Sequence, residues 1–288
     1  MSNVMAILQD ADKCMRCNGC VISCKRTWKM KALNPGVHKT APDQRVIIKS
    51  QNRIDNGPFL RYSCWHCPSP PCAPRCPFGA IKKQETGAVS VDPELCNPGG
   101  TNNGKTCTYQ CVADCGRGGY PKVGSGSDTH LAPKAWKCTM CYGRAGADDA
   151  LDAAYGNPLP TKSSAAEIAA VPELAHWPSC VFTCPAGAMK YDTKANILAE
   201  LYLNGSHGEL HNGWKATLGD GSMWWASKKL TTFVQPKADP FIEDHVTPML
   251  AGLSGSASKL PVVPVLVAGG LFAVMARRQR HLSGQGEG

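Results

Sequence analysis

Residues 14–25 read CMRCNGCVISCK and place Cys14, Cys17, Cys20 and Cys24 in the spacing C-x2-C-x2-C-x3-C. Three cysteines separated by two residues each form a tight loop, whose thiolates can converge on three corners of one cubane iron-sulfur cluster. The fourth cysteine points away from this loop and is typical of a ligand to a different cluster. Tetrahedral zinc is usually held by two separated C-x2-C pairs, so the spacing favours iron-sulfur chemistry over zinc.

Three further groups of four cysteines follow the first. The second group has the spacing C-x2-C-x4-C-x3-C, the third has ten residues between its first two cysteines, and the fourth has 38 residues between its second and third. Their members are Cys64, Cys67, Cys72 and Cys76, then Cys96, Cys107, Cys111 and Cys115, then Cys138, Cys141, Cys180 and Cys184. Every group ends in C-x3-C, which indicates an internal repeat.

The repeat extends beyond the cysteines. Residues 76–82 read CPFGAIK and residues 184–190 read CPAGAMK, which indicates a duplicated ferredoxin unit. After the first copy, AIKKQETGAVSVDPELC predicts two strands joined by a turn at residues 85–87. Extended segments are also predicted at residues 45–49 and 59–63, where apolar β-formers lead into cysteine loops. We therefore predict an α+β fold of duplicated ferredoxin-like modules with long loops.

The composition agrees with a fold rich in loops. Glycine and proline, 29 and 22 of the 288 residues, indicate much turn and loop backbone. The formal net charge of +9 would ordinarily suggest nucleic acid or anionic lipid as a partner. Each oxidised cubane with its four thiolates contributes a charge of about −2, so four cubanes would leave the chain near +1. Because no basic helix or stacking aromatic platform accompanies the charges, we expect no nucleic-acid partner.

The cysteine segments resemble those of the four-cluster iron-sulfur subunit of the molybdenum/tungsten-bisPGD (DMSO reductase) family of complexes. The resemblance covers residues 5–192, and its layout is closest to the beta subunits of membrane-bound formate dehydrogenases. The motifs that carry it are, in order, CMRCNGCVISCK, CWHCPSPPCAPRCPFGAI, VDPELC with CVADC, and KCTMCYGR with PSCVFTCPAGAM. The resemblance implies an electron-transfer subunit between a catalytic subunit and a membrane quinone-reactive subunit.

The family pairs its cysteine groups crosswise, the first with the fourth and the second with the third. Carried over to this chain, the resemblance implies four [4Fe-4S] clusters with these ligands: Cys14, Cys17, Cys20 and Cys184 for cluster 1; Cys24, Cys138, Cys141 and Cys180 for cluster 2; Cys64, Cys67, Cys72 and Cys115 for cluster 3; and Cys76, Cys96, Cys107 and Cys111 for cluster 4. In such subunits cluster 1 is nearest the catalytic subunit and cluster 4 is nearest the membrane partner.

Two segments depart from the family pattern. Residues 97–106 are inserted in the third group, and their polar, glycine-rich composition predicts a loop that leaves the cysteines free to converge. The long gap at residues 142–179 is expected to hold a surface excursion with a helix near residues 165–170. Two residues beside cysteines leave alternatives open: His66 as a neighbour of a cluster or as a ligand, and Lys137 as a cation between clusters or on the solvated surface.

No cysteine follows Cys184 in the sequence. We predict that the chain has three parts. Residues 1–191 form the double ferredoxin-like domain, 192–258 a loop-rich arm contacting partners or the membrane surface, and 259–281 a transmembrane anchor. The 17 uncharged residues 260–276 would span about 25 Å as a helix, close to the thickness of a bilayer core. The alternatives for this segment are a buried core helix and an interfacial helix.

The anchor also predicts an orientation. Basic residues follow the apolar segment, which indicates a cytoplasmic carboxyl terminus and an iron-sulfur head on the periplasmic side. Residues 1–12 show no basic region, long apolar run or twin arginine, which by itself indicates the reducing cytosol; the alternative, a periplasmic head, requires export together with a partner that carries the signal.

No group of residues in the sequence suggests catalysis by the chain itself. No Ser/His/Asp set, phosphate loop or carboxylate pair stands out, so we expect a non-catalytic electron-transfer subunit. The favoured catalytic partner is a molybdenum or tungsten enzyme, with formate dehydrogenase first, and the membrane partner is a cytochrome b or another quinone-reactive subunit. The alternatives are a hydrogenase or an oxyanion or sulfur-compound reductase as partner, and, in a different class, a multi-zinc interaction protein.

Overall fold

The computed structural model describes residues 3–31, 43–51, 57–117, 120–144 and 161–234. These residues belong to one compact unit. All sixteen cysteines lie within them. The predicted anchor at residues 259–281 lies outside the described residues. Within the described residues, no helix is long and apolar enough to cross a membrane.

The centre of the fold is a four-stranded sheet whose strands come from both ends of the described chain. Strand β1 (Met5–Asp10) pairs antiparallel with β10 (Met189–Thr193) and parallel with β12 (Met223–Ser227). Strand β11 (Ala216–Gly219) pairs antiparallel with β12 and forms the other edge, so the strand order is β10-β1-β12-β11.

Both faces of this sheet are covered, which explains why β1 is almost wholly apolar. Met5 and Ile7 face the hydrophobic cluster that also contains cysteines from three of the four groups. Ala6 and Leu8 alternate with them and face the second cluster, which is formed with helix α5 (Lys194–Leu201). The cysteine-bearing loops therefore lie on one side of the sheet and α5 lies on the other.

The structure differs from the predicted loop-rich arm within residues 194–227, which contain α5, β11 and β12 and a stretch of turns between α5 and β11. All five residues of β12 are buried, and its two tryptophans point to opposite faces of the sheet. The difference has a physical cause: β12 is stabilised by pairing with β1, more than 200 residues earlier in the chain, and local composition does not report such a contact. Residues 235–258 lie outside the described residues.

Four two-stranded hairpins carry the cysteine loops of the second, third and fourth groups. Their strands are β2 (Ile47–Ser50) with β3 (Phe59–Tyr62), β4 (Ile81–Lys83) with β5 (Val89–Val91), β6 (Thr101–Asn102) with β7 (Lys105–Thr106), and β8 (Lys122–Gly124) with β9 (Lys134–Trp136). The predicted strands around residues 47–49, 59–62 and 81–91 are confirmed. Gly87 adopts a φ of 83° in the β4–β5 turn, a conformation that favours glycine. The insert at residues 97–106 folds as the small β6–β7 hairpin.

The helices are short, in line with the high glycine and proline content. The part of the chain that the structure describes contains α1 (Gly19–Thr27), α2 (Gln110–Ala113), α3 (Ala165–Ala170), α4 (Ser179–Phe182) and α5, together with a 3₁₀ turn at Pro172–Ala175. The predicted helix at residues 165–170 is confirmed, and Ser164 and Glu167 form a capping box at its start. Helices α1 and α4 pack together, and the hydroxyl groups of Thr27 and Ser179 lie 2.9 Å apart.

Candidate iron-sulfur centres

Cysteines from the first and fourth groups meet at one end of helix α1. Cys14, Cys17 and Cys20 line the same cavity as Cys184, which lies more than 160 residues later. The loop brings its three thiols to one side because Arg16 and Asn18 have left-handed backbone conformations, with φ of 56° and 57°. The quartet predicted for cluster 1 is therefore assembled by the fold.

The quartet predicted for cluster 2 lies deeper. Cys24 is on α1, Cys180 is on α4, and Cys138 and Cys141 are in the loop that follows β9. The packing of α1 against α4 brings the two helices' cysteines together, and the Cys141 Sγ lies 3.5 Å from the Ser179 hydroxyl. Burial raises the pKa of Cys180 well above its ordinary value; Arg61 opposes this shift, and the neighbouring thiolate charges of Cys141, Cys138 and Cys24 add to it.

Cysteines from the second and third groups meet around the β4–β5 hairpin. Cys64, Cys67, Cys72 and Cys115, the quartet predicted for cluster 3, line one cavity together with Trp65 and Tyr120. Cys76, Cys96, Cys107 and Cys111, the quartet predicted for cluster 4, line a second cavity. The β6–β7 hairpin starts and ends near this second cavity and points its residues to solvent, so the insert leaves all four thiols on the cavity wall.

The cysteine loops share one backbone device. In four of the loops, the residue two positions after a cysteine has a left-handed backbone conformation, with φ between 53° and 60°. These residues are Arg16, His66, Tyr109 and Met140. At two of these positions the backbone N–H donates to the preceding sulfur, from His66 to Cys64 and from Met140 to Cys138, both at 3.4 Å. Non-glycine residues adopt this conformation at a cost of about 1 kcal/mol or more, so the loops are held in shapes that present thiols and N–H donors to a common centre.

The four quartets are neighbours in series. Lys137, which precedes Cys138 of the second quartet, lies 3.6 Å from the Cys64 Sγ of the third, and Cys72 of the third quartet packs with Cys76 and Cys111 of the fourth. Arg61 donates to the Cys138 Sγ and lines the cavity of the first quartet, which places it between the first quartet and the second. The order of neighbours is therefore first, second, third and fourth.

The thiols need a cation to become thiolates. Burial raises the pKa of Cys20 to about 11, and that of Cys24 and Cys72 to about 12, so these groups keep their protons at neutral pH. Binding of iron must displace those protons. Cys138 is an exception: burial acts to raise its pKa, but Arg61, the Met140 N–H and Lys137 together lower the pKa below its ordinary value.

The donor set fits cubane clusters better than single metal ions or disulfides. All sixteen cysteines are free thiols. Among the described residues, no three His, Cys, Asp or Glu side chains lie close enough together to hold one metal ion. Four sulfurs around one zinc would lie about 3.8 Å apart, given Zn–S bonds of about 2.3 Å. Three of the four quartets line cavities, an arrangement that suits the corners of a larger iron-sulfur core.

His66 and several buried cations complete the site. The Nδ1 of His66 accepts a 2.8 Å hydrogen bond from the Val89 N–H, which occupies that ring nitrogen and favours the interpretation of His66 as a neighbour of the third quartet over that of a ligand. Lys137 is buried, which excludes the solvated-surface interpretation. Sequence reasoning missed Arg45 and Arg61, which are also buried. The sequence feature that could have identified them is a charged residue within an apolar β segment that leads to a cysteine, at the start of the segment for Arg45 and in its middle for Arg61.

Comparisons with known proteins agree with this geometry. Residues 55–153 match the model of the 4Fe-4S dicluster domain. The chain is 27% identical over 194 residues to the thiosulfate reductase electron transfer subunit PhsB of Salmonella typhi, covering 66% of this chain and 77% of that protein. It is 27% identical over 195 residues to the B subunit of the sulfite dehydrogenase of Allochromatium vinosum, covering 64% of this chain and 66% of that protein.

A third relative matches a shorter stretch. The probable anaerobic dimethyl sulfoxide reductase chain YnfG of Escherichia coli is 34% identical over 145 residues, covering 47% of this chain and 60% of that protein. The chain thus spans between three fifths and about three quarters of the length of these relatives. Residues 55–153 are therefore similar to a ferredoxin-like 4Fe-4S dicluster domain, within a fold of mixed helices and strands.

Proposed function

We propose that the chain conducts electrons through four [4Fe-4S] clusters, from a molybdenum or tungsten catalytic subunit to a quinone-reactive membrane subunit or in the reverse direction. The chain is a non-catalytic iron-sulfur electron-transfer subunit. The observation that carries the proposal is the gathering of sixteen cysteines into four quartets that neighbour one another in series. A bound cluster of this kind accepts and returns single electrons.

The residues of the chain have three tasks in this function. The four quartets would hold the clusters, with the crosswise ligand sets given above. Trp65 is almost fully buried in the wall of the third quartet's cavity, where it excludes water. Cys17 is exposed and its neighbour Met15 is 61% exposed, so the first quartet lies at the surface, where an electron can enter from a catalytic partner.

Two kinds of catalytic partner are candidates. The three relatives described above are named for thiosulfate, sulfite and dimethyl sulfoxide, which favours an enzyme acting on a sulfur compound. The apolar segment at residues 260–276 favours a formate dehydrogenase, whose beta subunits the layout resembles. Identification of the large subunit that purifies with this chain, by mass spectrometry, distinguishes these partners from each other and from a hydrogenase.

The place of the chain in the cell is part of the proposal. We propose that residues 259–281 anchor the chain in the bilayer, with the iron-sulfur head on the periplasmic side. The support is the basic cluster that follows the apolar segment, since basic residues accumulate on the cytoplasmic side of membrane spans.

Cys14→Ser tests the function in the intact complex. We expect quinone-linked turnover to fall by at least about 100-fold, because loss of a direct ligand should exceed the effect of changing a residue that only supports one. Turnover of the catalytic subunit with an artificial electron acceptor should stay within about twofold of the parent complex, since that route bypasses the chain.

Ile22→Ala is the matched control, because Ile22 lies in the same motif, is exposed and does not line the cavity of the first quartet. It should leave quinone-linked turnover close to that of the parent complex. Full quinone-linked turnover in Cys14→Ser would contradict the proposed function, as would equal losses in the two assays.

A further inference from the structure

Arg61 is a buried cation that contacts two candidate cluster sites. Its side chain is 1% exposed, and its Nη2 donates to the Cys138 Sγ at 3.3 Å, in the second quartet. The same side chain lines the cavity of the first quartet. Its Nη1 donates to the Ser63 hydroxyl at 2.6 Å, which fixes the orientation of the guanidinium group.

Lys137 has the same relation to the second and third quartets. It is 1% exposed, and its ammonium group lies 3.6 Å from the Cys64 Sγ of the third quartet. The ammonium also donates to the carbonyl oxygen of Cys138 at 2.9 Å and to that of Val89. It is therefore held between the loop that carries Cys138 and the loop that carries Cys64.

Arg45 adds a third cation at the second quartet. Its Nε donates to the Lys137 carbonyl oxygen at 2.6 Å, and its guanidinium group stacks on Trp28 at 4.1 Å from the ring centre. The described residues contain no ion pair between a carboxylate and Arg45, Arg61 or Lys137. The negative partners of these three buried cations are the thiols of the quartets, once those thiols are ionised.

From these contacts, we infer that Arg61 and Lys137 bridge successive clusters and raise their reduction potentials, Arg61 for clusters 1 and 2 and Lys137 for clusters 2 and 3. The inference rests on the proposed function. Because both cations, and Arg45 as well, act on cluster 2, that cluster is the site where an added electron is most stabilised by the protein's charges.

The physical reason is charge. Reduction adds one electron and no proton to a site that already has a charge of about −2 with its four thiolates. A fixed positive charge in a buried environment stabilises the more negative, reduced form, and the interaction is stronger there than in water. Loss of one cation should therefore shift the reduced-to-oxidised ratio of each adjacent cluster, at a given potential, towards the oxidised form.

Redox-titrated EPR spectroscopy of the intact complex, with iron analysis of the same samples, tests this. Arg61→Gln and Lys137→Gln remove the charges, and Arg61→Lys and Lys137→Arg keep them. Each Gln variant should lower the midpoint potentials of two of the chain's cluster signals by at least about 59 mV. For a one-electron couple this is a tenfold change in the reduced-to-oxidised ratio. One of the lowered signals should be common to both variants, and the charge-keeping variants should recover at least half of each shift.

The outcomes separate this inference from the proposed function. If the parent complex contains no iron bound to this chain, the proposed function fails. If iron is retained in the Gln variants and their midpoints do not move, or move in sets with no common signal, the bridging inference is overturned. If both Gln variants lose iron while the charge-keeping variants retain it, the cations serve assembly rather than potential, and the inference is likewise overturned.

Arg75→Gln is the matched control. Arg75 lies next to Cys76, but its side chain is 64% exposed and pairs with Asp114 in solvent. Exposed charges are screened by water and salt, so this variant should shift every midpoint by much less than the buried variants do.

Discussion

Cys24→Ser should damage the same cluster as Cys180→Ser, and a different cluster from the one damaged by Cys14→Ser. Cys24 and Cys14 belong to one motif of eleven residues, whereas Cys24 and Cys180 are separated by more than 150 residues. The fold places Cys24 on α1 and Cys180 on α4, and it places Cys14 on the wall of a separate cavity with Cys184. Each variant should lose or convert one cluster signal and lower quinone-linked turnover by at least about 100-fold.

EPR spectra of the three variants, with Cys184→Ser as the fourth, check this expectation. Cys14→Ser and Cys184→Ser should change one common signal, and Cys24→Ser and Cys180→Ser should change another. Ser23→Ala is a matched control on the same helix as Cys24, because Ser23 is buried there without being a thiol. If Cys14→Ser and Cys24→Ser change the same signal, the crosswise ligand sets are wrong.

Trp225→Ala should lower the stability of the chain by about 3–5 kcal/mol, the range for truncating a buried aromatic side chain. Trp225 is fully buried in β12, where its ring lies 5.2 Å from that of Trp65. Its Nε1 donates to the Arg61 carbonyl oxygen at 3.2 Å. Because Trp65 lies between Cys64 and Cys67, the cavity left by the ring should also loosen the loop of the third quartet.

The expected shift in the unfolding temperature is on the order of 10 °C downwards for a chain of this size. It is measured by thermal unfolding of the purified complex, followed by iron analysis of the folded protein. Trp225→Phe keeps most of the ring and loses only the N–H donor, so its shift should be smaller. Leu203→Ala, at a 57% exposed position, should have almost no effect. An unchanged unfolding temperature in Trp225→Ala would contradict the place of β12 in the core.

The parts of the fold that follow from local sequence were predictable. The β4–β5 hairpin was predicted because Gly87 and its neighbours form a turn between two short apolar runs. Helix α3 was predicted from an alanine-rich segment, and its capping box is local too. The α+β character and the confinement of the cysteines to loops and short helices also follow from the motifs.

The central sheet was not predictable from one sequence. Its strands β1 and β12 are formed by residues more than 200 positions apart, and the three residues MWW of β12 follow a Gly- and His-rich stretch that is typical of a loop. Successive side chains of β12 point to opposite faces of the sheet, so Trp224 packs on the side of α5 and Trp225 on the side of the cysteines. This alternation explains why both tryptophans are buried. A strand that pairs with a distant partner leaves little trace in its own composition.

The candidate site also has a part that could be predicted from the sequence and a part that could not. The cysteines themselves were identified from spacing alone, whereas the buried cations Arg45 and Arg61 were found only in the structure. Arg61 lies in the β3 sequence FLRY, where alternation gives no sign that a guanidinium group points inwards to sulfur. Such a charge is tolerated in the interior because the sulfur and hydroxyl groups around it satisfy most of its donors.

Iron and acid-labile sulfide analysis of the full chain, purified without oxygen, tests the central claim most directly. The account predicts about sixteen irons and about sixteen sulfides per chain, together with brown protein that absorbs broadly near about 400 nm. About eight irons would mean that only a two-cluster domain is filled and would contradict the assignment of all sixteen thiols to four clusters. Zinc in place of iron at these positions would contradict it altogether.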